Sequence, residues 1–255
     1  MSSSRFVNEK WMTPSIFECA GDAEADIPYR WGSQDNARAV LERHWDTFIA
    51  QPDFHYLSSI GINTVRLPIG YWNLGPDFSH GTIFEQGSQV YANSWPRIKR
   101  AIKQAGEVGI GVLVDLHGAV GSQNGHDHSG VSDGQTRLFS EKANMDKTVA
   151  VLTFLMKQLV VVTNVVGIQV LNEPIYDPEL ENFCELYSHP VYSSLLTDSV
   201  RFPSHLRNES SFTRSFKISD IPTRRIRPRP LRQFCCIAIR LCCPRPSFLL
   251  RFFAL

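Results

Sequence analysis

Three stretches of the chain are almost continuously apolar and rich in β-branched residues, at 62–69, 110–118 and 165–171. Runs of this length and composition predict strands buried on both faces, as in a parallel sheet. Between and before them, apolar residues recur at helical spacing, which predicts helices over 36–50, 53–59, 94–105 and 145–162. Strands that alternate with helices in this way predict an α/β fold with parallel strands. We expect Ser33 or Asp35 to cap the first helix and Asn144 the last.

Each predicted strand ends in polar side chains that its packing does not require. Arg66 lies near the end of the first strand, His117 ends the second, and Asn172 and Glu173 end the third, directly before Pro174. The carboxyl ends of parallel strands meet at one edge, where α/β barrels carry their chemistry. Structural roles remain open at this point, because a buried arginine can pair with an aspartate and a histidine can be part of the core.

Two loops between these strands contain further candidate residues. The loop at 70–93 is rich in aromatic residues, which either stack on sugar rings or cover the core; these are Tyr71, Trp72, Phe78, Phe84 and Tyr91. In the loop at 119–134, His126, Asp127 and His128 are potential metal ligands, but their close spacing in a flexible loop does not define a rigid site. We therefore predict no metal and no cofactor.

Composition separates residues 1–200 from the rest of the chain. The first part carries 14 Lys and Arg against 23 Asp and Glu, whereas residues 201–255 carry 12 against 2. The overall net charge of +1 argues against a nucleic-acid partner. No apolar run has the length and continuity of a membrane span, and the first residues lack the apolar core of a signal peptide.

The C-terminal part has an unusual composition. Arg and Pro accumulate around 224–230, and four cysteines follow at Cys235, Cys236, Cys242 and Cys243, without the spacing of a zinc site. One interpretation is a basic membrane anchor; another is the product of an unspliced intron or a shifted reading frame. The abrupt change in composition favours the second. We predict a barrel domain at 1–182 and an unrelated, disordered tail at 183–255.

Four separated motifs resemble those of the fungal exo-β-1,3-glucanases of glycoside hydrolase family five, a family of (β/α)8 TIM-barrel enzymes. They are EKWMTPS at 9–15, NTVRLPIGYW at 63–72, DLHGA at 115–119 followed by GSQNG at 121–125, and LNEP at 171–174. The resemblance covers about residues 9 to 180. It implies about the first half of a (β/α)8 barrel and a retaining hydrolase that degrades β-glucan polysaccharide.

The resemblance also assigns roles to individual positions. It implies that Glu173 is the general acid/base and that Asn172 binds the sugar 2-hydroxyl. Arg66 would lie beneath the site and lower the pKa of a neighbouring carboxylate. His117 would line the same subsite, and Glu9 would contact the terminal glucose.

A retaining glycosidase also needs a second carboxylate as its nucleophile, about 5–5.5 Å from the first. In the family this residue ends a strand three further along, and we assign no nucleophile in this chain. We therefore expect a truncated hydrolase domain with little or no activity. The alternatives are an inactive glucan-binding or non-functional product and a protein tethered to membranes through its tail.

The expected partner is a β-glucan oligosaccharide or polysaccharide, and the expected oligomeric state is a monomer. The resemblance implies an extracellular or cell-wall location, whereas the missing signal peptide leaves a cytoplasmic location open.

Overall fold

A computed structural model of the protein describes residues 23–175, 177–179, 238–240 and 252–254. Its centre is a five-stranded sheet in the order β5-β1-β2-β3-β4. The three central strands are β1 (Thr64–Gly70), β2 (Gly111–Gly118) and β3 (Val165–Gln169), and they are parallel. At the edges, β4 (Ala238–Arg240) runs antiparallel to β3, and β5 (Phe252–Ala254) runs parallel to β1.

Helices precede and connect the central strands. The α-helices are α1 (Ile27–Arg30), α2 (Gln34–Thr47), α3 (Gln51–Ser59), α4 (Pro76–Ser79), α5 (Ser94–Glu107) and α6 (Lys142–Leu159). Short 3-10 turns lie at Glu24–Asp26, Tyr71–Leu74, Ser88–Val90 and Asp127–Ser129. The connection from β1 to β2 contains α5, and that from β2 to β3 contains α6. This order confirms the predicted α/β arrangement. None of the described helices is long and apolar enough to cross a membrane.

The predicted helix caps are right at one end of the domain and wrong at the other. Ser33 caps α2, because its Oγ accepts a hydrogen bond from the backbone N–H of Asn36 at 3.2 Å. Asn144 does not cap α6, which begins one residue after Glu141. The Asn144 amide instead donates to the carbonyl of Arg137 at 3.0 Å and fastens the preceding loop to the first turn.

The aromatic residues of the loop after β1 form part of the core. Tyr71, Trp72, Phe84 and Tyr91 are all buried, and Trp72 stacks on Phe84 with 4.1 Å between ring centroids. Phe78 is partly buried and packs against the core. Four enclosed rings cannot receive a sugar face, so in this structure the loop covers the sheet and does not form a sugar platform.

Three glycines enclose the indole ring of Trp72. A Cβ added at Gly70, Gly118 or Gly130 would lie 2.2, 2.3 or 2.3 Å from the ring. Real Cβ atoms do not approach other heavy atoms so closely, so these positions accept no side chain unless the indole moves. Gly118 is the last residue of β2 and directly follows His117, so the indole of Trp72 packs against the strand end that carries His117.

The segment at 183–255 is described only at β4 and β5, which add three residues each to the two edges of the sheet. These six residues are strands, contrary to the disorder predicted for the tail; the rest of the tail, with its cysteines and its arginine-rich run, lies outside the described residues. The same holds for the motif at 9–15.

Gly118→Ala is expected to destabilise the protein by about 3 kcal/mol, because the new methyl group would overlap the buried indole of Trp72. The backbone oxygen of Ser129, 3.0 Å from the added Cβ, leaves little room for adjustment. Urea unfolding followed by tryptophan fluorescence would measure the change. The control is Gly134→Ala, at φ +71° in open space; its left-handed conformation should cost only about 1 kcal/mol. An equal loss in the two variants would contradict the packing argument.

An ion-pair network joins α2 to α5 on the outside of the sheet. Arg97 Nε lies 2.8 Å from Asp46 Oδ1, and Arg97 Nη2 lies 3.3 Å from Glu42 Oε2. Arg100 contacts the same oxygen of Asp46. Hydrogen bonds from Arg97, opposed by partial desolvation and reinforced by Arg100, lower the pKa of Asp46 to about 2.

Asp46→Asn should lower the free energy of unfolding at neutral pH by less than about 1 kcal/mol, since the Asp46 side chain is 38% exposed and screened by solvent. The folded-state pKa lies below the unfolded value, so the stabilisation is present above about pH 4 and is lost as the pH falls through 2. Urea unfolding of both proteins at several pH values tests this. Asp77→Asn, which removes an exposed carboxylate without an ion pair among the described residues, is the control. A difference that is as large at pH 2 as at neutral pH would contradict the assignment.

Candidate active site

The guanidinium of Arg66, on β1, connects all three central strands. Its Nη2 lies 2.7 Å from Asp115 Oδ2 on β2 and donates to Asn172 Oδ1, after β3, at 2.7 Å. Its Nε donates to Gln169 Oε1 on β3 at 3.0 Å. The planar guanidinium presents several donors in a fixed geometry, which an ammonium group cannot reproduce. Arg66 therefore holds the polar groups of three strands in one arrangement.

Asp115 and His117 lie two residues apart on β2, so their side chains lie on the same face of the strand. Asp115 is fully buried, and its Oδ2 also lies 2.7 Å from His117 Nδ1. We assign the proton of a neutral His117 to Nδ1, which donates to Asp115. The other nitrogen, Nε2, then accepts from Asn172 Nδ2 at 3.4 Å.

Asn172 is buried and its orientation is determined by its partners. Because Oδ1 accepts from Arg66, the amide Nδ2 must face the two histidines, His117 Nε2 at 3.4 Å and His128 Nδ1 at 3.5 Å. The network therefore continues from the buried Asp115 through His117 and Asn172 to His128. Every member is held before any ligand arrives.

Glu173 directly follows Asn172 in the chain and is far more exposed than the residues of this network. Its side chain is 67% exposed, and its backbone adopts φ +43°, a left-handed conformation that is uncommon outside glycine. The Asn124 amide donates to the backbone carbonyl of Glu173 at 3.0 Å. Its carboxylate Oε2 lies 3.7 Å from His128 Nε2. A strained backbone thus presents a carboxylate to solvent beside a buried polar cluster.

Gln123 links the loop after β2 to the loop after β3. Its Nε2 donates to the carbonyls of His117 at 2.6 Å and Asn172 at 2.9 Å, while its Oε1 accepts from the backbone N–H of Ala119 at 3.1 Å. The backbone N–H of Ile175 also donates to the Gln123 carbonyl at 3.1 Å. These bonds fix the backbone on both sides of Asn172 and Glu173.

The structure brings four of the five predicted site residues together. Arg66, His117 and Asn172 form the network, and Glu173 lies at its exposed end; their functional roles remain predictions. Glu9 lies outside the described residues.

Sequence reasoning left four residues of the network without a role, namely Asp115, Gln123, His128 and Gln169. Asp115 had a usable signal, because it precedes His117 by two positions on a predicted strand. Gln169 likewise lies within the third predicted strand. His128 and Gln123 lie in a loop whose path the sequence pattern does not predict.

Within the described residues, no group of three or more His, Cys, Asp or Glu side chains is arranged to hold a metal ion. His126 and His128 stack with 5.7 Å between ring centroids, and His128 is directed towards Asn172 and Glu173. A cavity of about 230 Å³ lies beside the polar network, not within it; its lining includes Tyr71, Phe84, Ser122, Arg137 and Glu141.

Comparison with known proteins identifies the class to which this fold and site belong. The sequence model of the family described as Cellulase (glycosyl hydrolase family 5) matches residues 33–185, more than half of the chain. The chain belongs to glycosyl hydrolase family 5.

The chain is similar to curated fungal proteins. It is 38% identical over 175 residues to Glucan 1,3-beta-glucosidase 3 of Schizosaccharomyces pombe, covering 67% of this chain and 38% of that protein. It is 40% identical over 176 residues to Probable glucan 1,3-beta-glucosidase A of Neosartorya fischeri, covering 66% of this chain and 39% of that protein. The chain thus spans about two fifths of the length of these relatives.

Among solved structures, the chain resembles rutinosidase from Aspergillus niger, with a TM-score of 0.60 and 15% identity. The match covers 79% of this chain and 58% of that one. At this identity the likeness concerns the fold alone. Together with the family match it confirms the predicted partial (β/α)8 barrel.

Asp115→Asn is expected to lower the free energy of unfolding by about 3 kcal/mol, because it leaves the Arg66 charge without its buried partner. Urea unfolding would measure this loss. The double variant Arg66→Met/Asp115→Asn, which removes both charges, should lose clearly less than the sum of the two single variants. Additive losses would contradict the view that the pair acts as a unit.

Proposed function

We propose that this protein acts in β-glucan hydrolysis by retention, as a glucan 1,3-β-glucosidase type of enzyme, and that its described part supplies the acid/base and the sugar-binding groups. Support for the substrate comes from the relatives named glucan 1,3-beta-glucosidase. The observation that carries the proposal is the exposed carboxylate of Glu173 at the end of the Arg66–Asn172 network.

Glu173 would act twice in such a reaction. In its protonated form it donates a proton to the glycosidic oxygen while the bond from C1 to that oxygen breaks. In its ionised form it then accepts a proton from the water that attacks C1 of the glycosyl intermediate. Its exposure allows both steps, because the leaving sugar and the incoming water must each reach the same oxygen.

The network around Arg66 would position the sugar beside this carboxylate. Asn172 would offer its amide to the 2-hydroxyl, and His117 would line the same subsite. Because Arg66, Asp115 and His117 fix the amide before binding, little reorganisation is needed when the sugar arrives.

Retention also requires a second carboxylate, which acts as the nucleophile. Asp115 is the carboxylate within the network, but it is fully buried and its Oδ2 is occupied by Arg66 and His117. It therefore cannot attack a sugar carbon. We propose that the described residues do not include the nucleophile, which leaves glucan binding without turnover as the second candidate function.

Azide can test this division of roles, because a small anion can take the place of a missing nucleophile. With phenyl β-glucoside, whose phenolate is a poor leaving group unless it is protonated, azide nitrogen would bond to C1 from the α face while the C1–O bond breaks. Glu173 would protonate the departing phenolate, and the product would be α-glucosyl azide. We expect the full chain to release little glucose from laminarin, and azide to raise phenol release from phenyl β-glucoside by about tenfold or more. Glu173→Gln should lower the azide-supported rate by about 100-fold or more.

Glu107→Gln, which removes an exposed carboxylate at the end of α5, is the control and should leave the azide-supported rate unchanged. Glucose release without azide that Glu173→Gln abolishes would show that the nucleophile is present after all. Laminaritriose binding by calorimetry without azide rescue would favour the glucan-binding alternative. The absence of both laminaritriose binding and azide rescue would contradict both candidate functions.

The cellular location stays a prediction. Family likeness supports an extracellular or cell-wall location, where β-glucan would be the natural substrate. Fractionation of cells that express the tagged full-length protein would test it.

A further inference from the structure

His128 contacts the candidate acid/base from a loop to which the sequence assigns no role. It lies in the 3-10 turn Asp127–Ser129, and its side chain is only 17% exposed. Its Nε2 lies 3.7 Å from Glu173 Oε2, while its Nδ1 lies 3.5 Å from Asn172 Nδ2. One imidazole therefore spans the distance between the end of the buried network and the exposed carboxylate.

We propose that His128 is a positioning residue for Glu173: its imidazole is the charge partner that holds the carboxylate over the site, and it does so most strongly when protonated. The catalytic meaning of this pair rests on the proposed function of Glu173 as acid/base. The contact between the two side chains does not depend on that function.

The orientation of the ring follows from the network behind it. Arg66 binds Oδ1 of Asn172, so Nδ2 of that amide is the atom that faces His128. Asn124 Nδ2 lies at the same distance, 3.5 Å, from His128 Nε2, so an amide donor faces each ring nitrogen and these contacts do not select one neutral tautomer. Both amides are uncharged, whereas the Glu173 carboxylate lies beside Nε2. Protonation adds a positive charge beside the carboxylate and weakens the Asn172 contact, so the Glu173 contact then becomes the main attraction.

The other described contacts of the imidazole differ in kind from the contact with Glu173. The His126 ring stacks on it at 5.7 Å, and the His117 ring meets it edge-on at 5.4 Å, so a second positive charge on either would oppose its protonation. Asp127 Oδ1 accepts the backbone N–H of His128 at 2.9 Å. Asn124 Nδ2, at 3.5 Å from Nε2, is neutral, and Asp115 and Arg66 lie beyond His117 and contact each other. Among these described contacts, Glu173 supplies the carboxylate beside a ring nitrogen.

The pair would make the placement of Glu173 depend on pH. At low pH the charged imidazole attracts the carboxylate towards the end of the network. At higher pH the ring carries no charge, and at 3.7 Å its contact with Glu173 is too long for a normal hydrogen bond. The Glu173 side chain should then sample more orientations.

Nitrogen-15 NMR of the histidine rings in the full chain tests the pair without any need for turnover. The variants His128→Asn and His126→Asn identify the two signals. In Glu173→Gln, the midpoint of the His128 titration should fall by about 0.3–0.7 pH units, the size expected for a partly exposed ion pair. The His126 midpoint, in a ring that stacks on His128 but does not face Glu173, should move much less. Glu173→Asp should give a smaller fall, because it retains the charge on a shorter side chain.

An unchanged His128 midpoint, or an equal fall for His126, would overturn the proposal. His128→Asn should also lower the azide-supported rate several-fold, and His126→Asn should not. A titration shift without glucan binding or azide rescue would sustain the pair while contradicting the proposed function. Glucan binding and azide rescue with an unchanged His128 midpoint would sustain the proposed function and contradict the pair. If Glu173→Gln does not fold, the Glu173→Asp titration decides by itself. An unchanged His128 midpoint in that variant would contradict the pair.

Discussion

The buried ion pair between Arg66 and Asp115 is the interaction on which the rest of the site depends. Asp115 has no exposure, so its charge requires a partner, and Arg66 supplies one while its remaining donors reach Gln169 and Asn172. This guanidinium orients the Asn172 amide, and that amide then orients two histidines. A change at Arg66 would therefore reach Glu173 through two intermediate residues, Asn172 and His128.

The fold supports this pair with two kinds of constraint. Gln123 bonds to the carbonyls on both sides of the site, which holds the loops after β2 and β3 together. The indole of Trp72 fills the space left by Gly70, Gly118 and Gly130, which leaves the end of β2 little freedom to shift. Rigid support of this kind lets the backbone of Glu173 keep its left-handed conformation and present its carboxylate to solvent.

Much of the fold was predictable because buried parallel strands have a strong local signature. The runs at 62–69, 110–118 and 165–171 correspond to β1, β2 and β3 within a few residues. Helix ends were less predictable: Ser33 is the cap, whereas Asn144 is not, since a tertiary contact with Arg137 engages its amide. The role of the aromatic loop at 70–93 could not be predicted either, because stacking on a sugar and packing on a sheet require the same residue types.

By itself, the sequence determined that His117, Asn172 and Glu173 lie at strand ends and that Arg66 lies within the first strand, because strands and their ends are local features. Only the tertiary structure decided that Asp115 neutralises Arg66, that Gln169 joins them, and that His128 lies against Glu173. Contacts such as Arg66–Asn172 and Asn172–His128 join residues 106 and 44 positions apart, and no local pattern encodes them. The strand before Glu173 thus places this residue at the edge of the sheet, whereas its side-chain contact comes from His128 in another loop.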